Sequence, residues 1–391
     1  MTSTAAHLGH AYQGIRVIDL SQGIAGPECG ALLAQHGAKV IKVEPPAGDW
    51  SRALGEMRGD QSVLHATYNR GKHGIVLDLK SAAGGRVARR LIGDADVVIE
   101  SARPGAMARL GLDYASVAKD RSGLIYVSIS GFGQRGPKAA ERCTDTVAQA
   151  FSGLMSVNKG ADGTPHRVGT TIVDHVTGLY AFQAVAAALY ARRDGAPGCH
   201  LDISLMQAAA AAQAPKIAEA ALRGASPANL NAPAGSYRAA DGWLAVTLVR
   251  EDDFRRLAQV LGLDGLADDP RFADFARRDR NLAPLVAVLK PRFAERTVAD
   301  WCDLLGARQV LAEPVHDYLD WLGDDHVAAI GAAPETGQPE FGLLRLAAVP
   351  GAPDGRGLAP APGLGADAAT VLRELNYSPD EIAALLDETR P

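Results

Sequence analysis

The first half of the chain alternates short apolar runs with longer segments of helical spacing. Arg16 to Leu20, Lys39 to Val43, Ile75 to Leu79, Val97 to Glu100 and Leu124 to Ile129 are dominated by Val, Ile and Leu, and they read as short buried strands. Pro27 to His36 reads as a helix, with Pro in its first turn and Gly37 just beyond it. Ser81 to Ile92 reads as another. Strands alternating with helices predict an α/β fold with a parallel sheet.

The longest helical pattern runs from Asp174 to Tyr190. Val176, Leu179, Tyr180, Phe182, Val185, Ala186, Leu189 and Tyr190 carry its apolar spacing. Arg192 and Arg193 suit a helix C-terminus, and Gly195, Pro197 and Gly198 end it. Leu201 to Leu205 then reads as a strand and Ala208 to Arg223 as one long helix. Gly224 to Gly235 is a Pro/Asn/Ala-rich linker, and a smaller, mostly helical region follows. Its elements are the strand Trp243 to Val249 and the helices Asp252 to Leu261, Leu282 to Phe293 and Val298 to Leu305. Residues 336–365 are Gly/Pro-rich and predict an extended strap. A segment from Ala368 to Leu375 and a helix opened by Ser378-Pro-Asp-Glu381 close the chain. The expected domains are 1–224, 225–335 and a returning segment, 336–391.

This pattern places Asp174 at or near the N-terminus of a long, mostly buried helix. Free amide groups and the helix dipole there favour an ionised carboxylate. Such a group can be a base, a metal ligand or a nucleophile. It can equally be no more than a helix cap. Ligands of open α/β sheets bind beyond the carboxyl ends of the strands. The loops Ser21 to Pro27, Ser101 to Leu112 and Ser130 to Pro137 leave such ends. The first carries no G-x-G-x-x-G, which disfavours a dinucleotide. Arg103, Arg109, Arg135 and Arg142 fall in or just beyond the other two, and guanidinium groups suit phosphate.

Composition narrows the picture modestly. The 391 residues carry a net charge of −5, which argues against a nucleic-acid binder working through a basic surface. Cys29, Cys143, Cys199 and Cys302 form no C-x-x-C pair and adjoin no histidine cluster, so neither a disulfide framework nor a metal site is expected, and a reducing cytosol fits. Residues 1–10 lack the apolar core of a signal peptide, and no uninterrupted apolar run reaches membrane-spanning length.

Several short motifs follow one another along the chain. They are Gly14-Ile-Arg-Val-Ile-Asp19-Leu, Ala25-Gly26-Pro27, Gly37-Ala-Lys-Val-Ile-Lys42-Val-Glu44-Pro-Pro, Asn69-Arg-Gly-Lys72 and Leu77-Asp78-Leu-Lys80. Arg103-Pro-Gly105, Arg109-Leu-Gly-Leu112, Ser128-Ile-Ser-Gly131-Phe-Gly-Gln134 and Ala361-Pro-Gly363-Leu-Gly365 follow. In this order and spacing the chain resembles the class III CoA-transferases over nearly its full length. The resemblance implies a Rossmann-like large domain, a smaller α+β domain and a homodimer of interlocked chains. It implies coenzyme A and acyl-CoA as substrates, small carboxylic acids as partners, and no tightly bound cofactor or metal. Asp174 matches the family's catalytic aspartate. Gly23, Leu77, Ser101, Ala102, Arg103, Arg109 and Arg142 fall at positions expected to bind CoA: Leu77 on the adenine side, Arg109 and Arg142 at the phosphates. Ser101 and Ala102 replace the usual Asn and Phe.

Two other readings compete. Acyl-CoA racemases share the fold and pair the aspartate with a histidine where this chain has Thr144, which has no useful basicity. Asp145 beside it is expected to point elsewhere. A non-catalytic nucleotide-binding subunit would leave Asp174 as a cap.

Overall fold

The structure, a computed structural model, describes residues 10–160, 162–352 and 358–388; the polar segment 1–9 and part of the expected strap, 353–357, lie outside the described residues. The chain divides into two compact units, Met1–Ala214 together with Gly331–Pro391, and Pro215–Ile330.

The larger unit is built on six parallel strands: β1 (Arg16–Asp19), β2 (Lys39–Glu44), β3 (His73–Val76), β4 (Val97–Glu100), β5 (Ile125–Ser130) and β6 (Cys199–Ser204), in the spatial order 3-2-1-4-5-6. This is the Rossmann-like order, and the chain reverses direction across the sheet between β1 and β4. The central strands are rich in Val and Ile because both faces are covered, with buried Asp19, Lys42, Glu44 and Glu100 as the charged exceptions toward their carboxyl ends. On one face lie α1 (Ala25–Gln35) and α6 (Ile172–Arg193), packing Cys29, Leu33, Ala181 and Val185 against Val17, Ile99 and Val127. On the other lie α3 (Ala82–Gly93) and two C-terminal helices, Ala368–Glu374 and Pro379–Glu388, packing Val87, Leu91, Val371 and Ile382 against Ile18, Ile41 and Val98. The short α2 (Val63–Asn69), α4 (Ala106–Leu110) and α5 (Asp145–Phe151) complete the connections.

Several predicted boundaries shift for local reasons. The third strand stops at Val76, not Leu79, because Asp78 turns the chain and Ser81 caps α3 with its hydroxyl on the Gly84 amide. The helix expected from Ala208 to Arg223 is two helices, Leu205–Ala212 and Ala214–Arg223. Pro215 can only sit in the first turn of the second, since it has no N–H to donate further in. The 22-residue α6 is long and apolar enough to cross a bilayer by length and composition, yet its Val173, Ala181, Val185 and Leu189 are core residues.

The returning segment opens with a hairpin, Glu335–Gln338 against Gly342–Arg345, where a strap was expected. It is tied to the β3 side of the sheet: Asp367 accepts the Gly74 amide at 2.8 Å, and Gly71 donates to the Ala359 carbonyl at 2.9 Å. In the smaller unit, the strands Gly235–Arg238, Trp243–Thr247 and Leu311–Pro314 form an antiparallel sheet beside helices that include Glu251–Val260 and Leu282–Phe293. Tyr237, Leu244, Phe254, Leu257, Leu285, Phe293 and Trp301 make its core.

Candidate active site

The sheet leaves a cavity of about 550 Å³ at the point where the loops after β1 and β4 part. Its wall takes Gln22 and Ile24 from the first loop, Ser101, Ala102 and Arg103 from the second, and Ser130 and Gly131 from the end of β5. Asp174 enters from the first turn of α6, with Thr144 beside it. A ligand site at this crossover is what the sheet order dictates.

Asp174 does not cap its helix. The N-cap position is Thr171, whose side chain makes no capping bond to the helix amides. The exposed amides are taken by Asp145, the first residue of α5: its Oδ2 accepts Val173 N–H at 2.7 Å and Asp174 N–H at 3.2 Å. Asp145 is 4% exposed and is held in turn by the side-chain amide of Gln149, whose carbonyl accepts Val168 N–H at 2.8 Å. Asp145 therefore does not point elsewhere, as the sequence suggested, but against the base of Asp174. Burial first, and the charge of Asp145 second, push the Asp174 carboxyl up to about 7. The expectation that the helix end favours an ionised carboxylate is corrected: burial opposes it, and another carboxylate already occupies two of the helix amides.

The helix can bring Asp174 here because Gly178 lets it approach α1. A Cβ on Gly178 would lie 2.6 Å from Glu28 Cβ and 2.8 Å from the Ala25 carbonyl oxygen. Glu28 turns His175 away from the cavity, with Nδ1 3.4 Å from its Oε1, and that bond raises the His175 pKa. Tyr68 bonds the Thr171 side chain, and burial pushes its hydroxyl up to about 12.

Gly23 has φ +86°, and a Cβ there would lie 2.1 Å from the Trp50 ring, which itself lines the cavity. The Gly23 amide donates to both oxygens of Asp49, at 3.0 and 3.2 Å, and Asp49 is paired with buried Lys42 at 2.8 Å. Lys42 also donates to the Ser21 carbonyl. The buried Lys42–Asp49 pair thus fixes the first loop, and Ser101 Oγ joins it to the second by accepting Gln22 N–H at 2.9 Å.

Among the residues singled out in the sequence, Asp174, Ser101, Ala102 and Arg103 share this cavity, and Gly23 shapes its wall. Leu77 does not: it is 3% exposed and lines a separate cavity of about 200 Å³ under the C-terminal helices. Arg109 is exposed on α4, and Arg142 is exposed next to Cys143 and Thr144 of the wall. Sequence reasoning missed Asp145, Gln149 and Trp50. The Asp at the start of α5 was readable as a helix-start residue, but its partner 29 positions away was not. Among the described residues, no group of three His, Cys, Asp or Glu side chains is placed to hold a metal, and the four cysteines are free.

Comparison with known proteins agrees with this fold. Residues 12–368 match CoA-transferase family III. The acetyl-CoA:oxalate CoA-transferase of Acetobacter aceti is 36% identical over 317 residues, 79% of this chain and 82% of its own length. The succinate–glutarate CoA-transferase of Agrobacterium fabrum is 36% identical over 333 residues, 81% and 83% of the two chains. The crystal structure of a CAIB/BAIF family protein from Brucella suis superposes with a TM-score of 0.80 at 31% identity, covering 93% of this chain and 99% of that one. The chain belongs to CoA-transferase family III. It is an enzyme acting on acyl-CoA thioesters and carboxylates.

Proposed function

We propose that this enzyme moves CoA from an acyl-CoA donor to a free acid through Asp174 itself. The observation that carries this reading is the Asp174 carboxyl, set in the wall of the crossover cavity with its own helix amides already engaged by Asp145. The carboxyl is left without a structural duty there, and raised toward 7 it is a more basic nucleophile than an ordinary aspartate.

An oxygen of the Asp174 carboxylate attacks the thioester carbonyl of the donor. The C–S bond breaks, CoA leaves as thiolate, and an anhydride joins Asp174 to the acyl group. The thiolate attacks the Asp174 carbonyl, releasing the donor acid and leaving an aspartyl-CoA thioester. The acceptor carboxylate attacks that thioester and the same steps run backwards, so atoms balance and the aspartate is regenerated. The second loop of the wall, with Ser101, Ala102 and Arg103, is the proposed contact for the CoA ester. Arg109 and Arg142 are proposed at its phosphates, where guanidinium groups suit phosphate oxygens. The relatives named for oxalate and for glutarate make small dicarboxylic acids the first acceptors to test.

Exchange of an α-proton finds less support. Thr144 carries no base, and Asp145 has its carboxylate bound to two helix amides and to Gln149. The reading also includes a homodimer and a cytosolic location; light scattering of the purified protein tests the first, and fractionation the second.

The mechanism is tested by incubating the protein with acetyl-CoA or succinyl-CoA and a panel of acids, trapping with hydroxylamine and mapping the modified peptide by mass spectrometry. CoA or hydroxamate on Asp174 is expected. Exchange that proceeds with Asp174→Ala, or with the label on another residue, defeats it.

A further inference from the structure

Glu100, the last residue of β4, is 4% exposed and pairs with no cation among the described residues. Three other buried carboxylates of this unit do, Asp19 with Lys72 at 2.8 Å, Asp49 with Lys42 at 2.8 Å and Glu44 with Arg52 at 2.7 Å, whereas Asp145 is held by two helix amides and Gln149 instead. A buried carboxyl without a counter-charge is a burden on folding and calls for another reason to be kept.

Its contacts supply one. Glu100 Oε2 accepts Ala102 N–H at 2.7 Å, and Ser128 bonds the same carboxyl. Ser128 Oγ is 2.9 Å from His200 Nε2, and the His200 ring stacks on Tyr114 at 5.4 Å. With the Ser128 hydroxyl donating to Glu100, its oxygen is free to accept from His200. These groups line a second cavity of about 220 Å³, which shares only Arg103 with the cavity of Asp174. The loop held by Glu100 at Ala102 is the one held to Gln22 by Ser101.

We propose that Glu100 is a positioning residue: its carboxylate, backed by Ser128 and His200, fixes the Ser101–Arg103 turn against which the CoA ester binds. This rests on the reading that the Asp174 cavity takes the ester. Ionised, Glu100 makes a charge-assisted bond to Ala102 N–H, and protonated it makes a weaker one. The ionisable groups facing it are Arg103 from the loop, Asp113 and Tyr114 beyond α4, Tyr126 from β5, and His200 and Asp202 from β6. Burial holds His200 below its ordinary range and pushes Tyr126 up, whereas it brings Glu100 up to about 7. The turn is therefore firmest above neutral pH.

The test is calorimetric binding of CoA to full-length Asp174→Ala protein from pH 6 to 8.5, which removes both turnover and the titration of Asp174. The phosphates of CoA titrate equally against every variant. Adding Glu100→Gln, neutral at all pH, is expected to weaken binding about fivefold at pH 8 and to leave affinity at pH 6 unchanged. Adding Glu100→Ala is expected to weaken it about tenfold at pH 8. If the alanine variant fails to fold, the glutamine variant decides alone. Equal affinity and a parallel pH dependence with Glu100→Gln overturn the inference while leaving the cavity assignment standing. Absence of CoA binding in the Asp174→Ala parent at every pH overturns the cavity assignment, and the inference with it.

Discussion

The amide of Asp174 donates to Oδ2 of Asp145 across 3.2 Å, so the nucleophile proposed for this enzyme is anchored through its backbone by a second acid 29 residues earlier in the chain. The arrangement frees the Asp174 side chain and places a like charge beside it. Replacing Asp145 by Asn keeps an oxygen for the two helix amides and removes the charge. The Asp174 carboxyl should then ionise at lower pH. The acid limb of kcat/KM, expected near pH 7 in the native enzyme because the ionised form attacks, should move toward acid in Asp145→Asn. An unmoved limb would show that Asp145 does not tune Asp174.

Gly178 sets the distance between α6 and α1. Gly178→Ala must push against Glu28 Cβ and the Ala25 carbonyl, and neither is the loose end of a flexible side chain. Overpacking of this kind costs about 1–3 kcal/mol. The variant should melt several degrees lower, and exchange should fall because Asp174 and Ala25 line the same cavity. Native melting temperature with native kcat/KM would mean that the helices separate without consequence.

How far the site could be read in advance follows from the range of the interactions involved. Val, Ile and Leu runs such as Lys39–Glu44 and Val97–Glu100 announce buried parallel strands locally, and the Arg192–Gly195 end of α6 is equally local. Asp174 stood out because a helix start is a local pattern. What surrounds it is not. Asp145 on the helix amides, Trp50 on Gly23 and Glu28 on His175 all join residues from separate elements, and no spacing rule reports them. The same limit explains the error about ionisation: helix position alone argued for a lowered pKa, while burial and a distant anion raise it.

His65 illustrates a buried group with a pH cost. It is fully buried, and neither ring nitrogen has a hydrogen-bond partner among the described residues. Burial, with Arg52 adding to it, lowers its pKa to about 4. The unfolded chain binds this proton near pH 6.5 and the folded chain only near 4. Stability from this group is therefore complete above about 6.5 and is lost as pH falls toward 4, by about 3 kcal/mol in all. Asp174 and Glu100 slope the other way, so the measurement is the difference between His65→Leu and the native protein. That difference should shift in favour of the variant between pH 6.5 and 4.5. Parallel melting curves across that range would show that His65 takes up its proton in the folded state.

Asp174 should be a burden on the fold that the reaction requires. Its carboxyl ionises near 4 in an unfolded chain and near 7 in the folded one. Below about 4 both states hold the proton and there is no penalty. As pH rises from 4 to 7 the unfolded state gains by ionising first, and stability falls. Above 7 the deficit is constant. The full shift corresponds to about 4 kcal/mol. Asp174 opens partly onto the cavity, where solvent screens its charge, so about 2 kcal/mol is the reasonable expectation at pH 8. Asp174→Asn keeps the shape and never ionises. It should melt several degrees above the native enzyme at pH 8, by clearly less at pH 5, and it should fail to exchange CoA. Melting curves at the two pH values, with mass spectrometry to confirm that the asparagine has not deamidated, check all three. A variant that is inactive but no more stable at pH 8 than at pH 5 would mean that the Asp174 carboxylate is better solvated than this cavity allows, and the raised pKa would have to be abandoned.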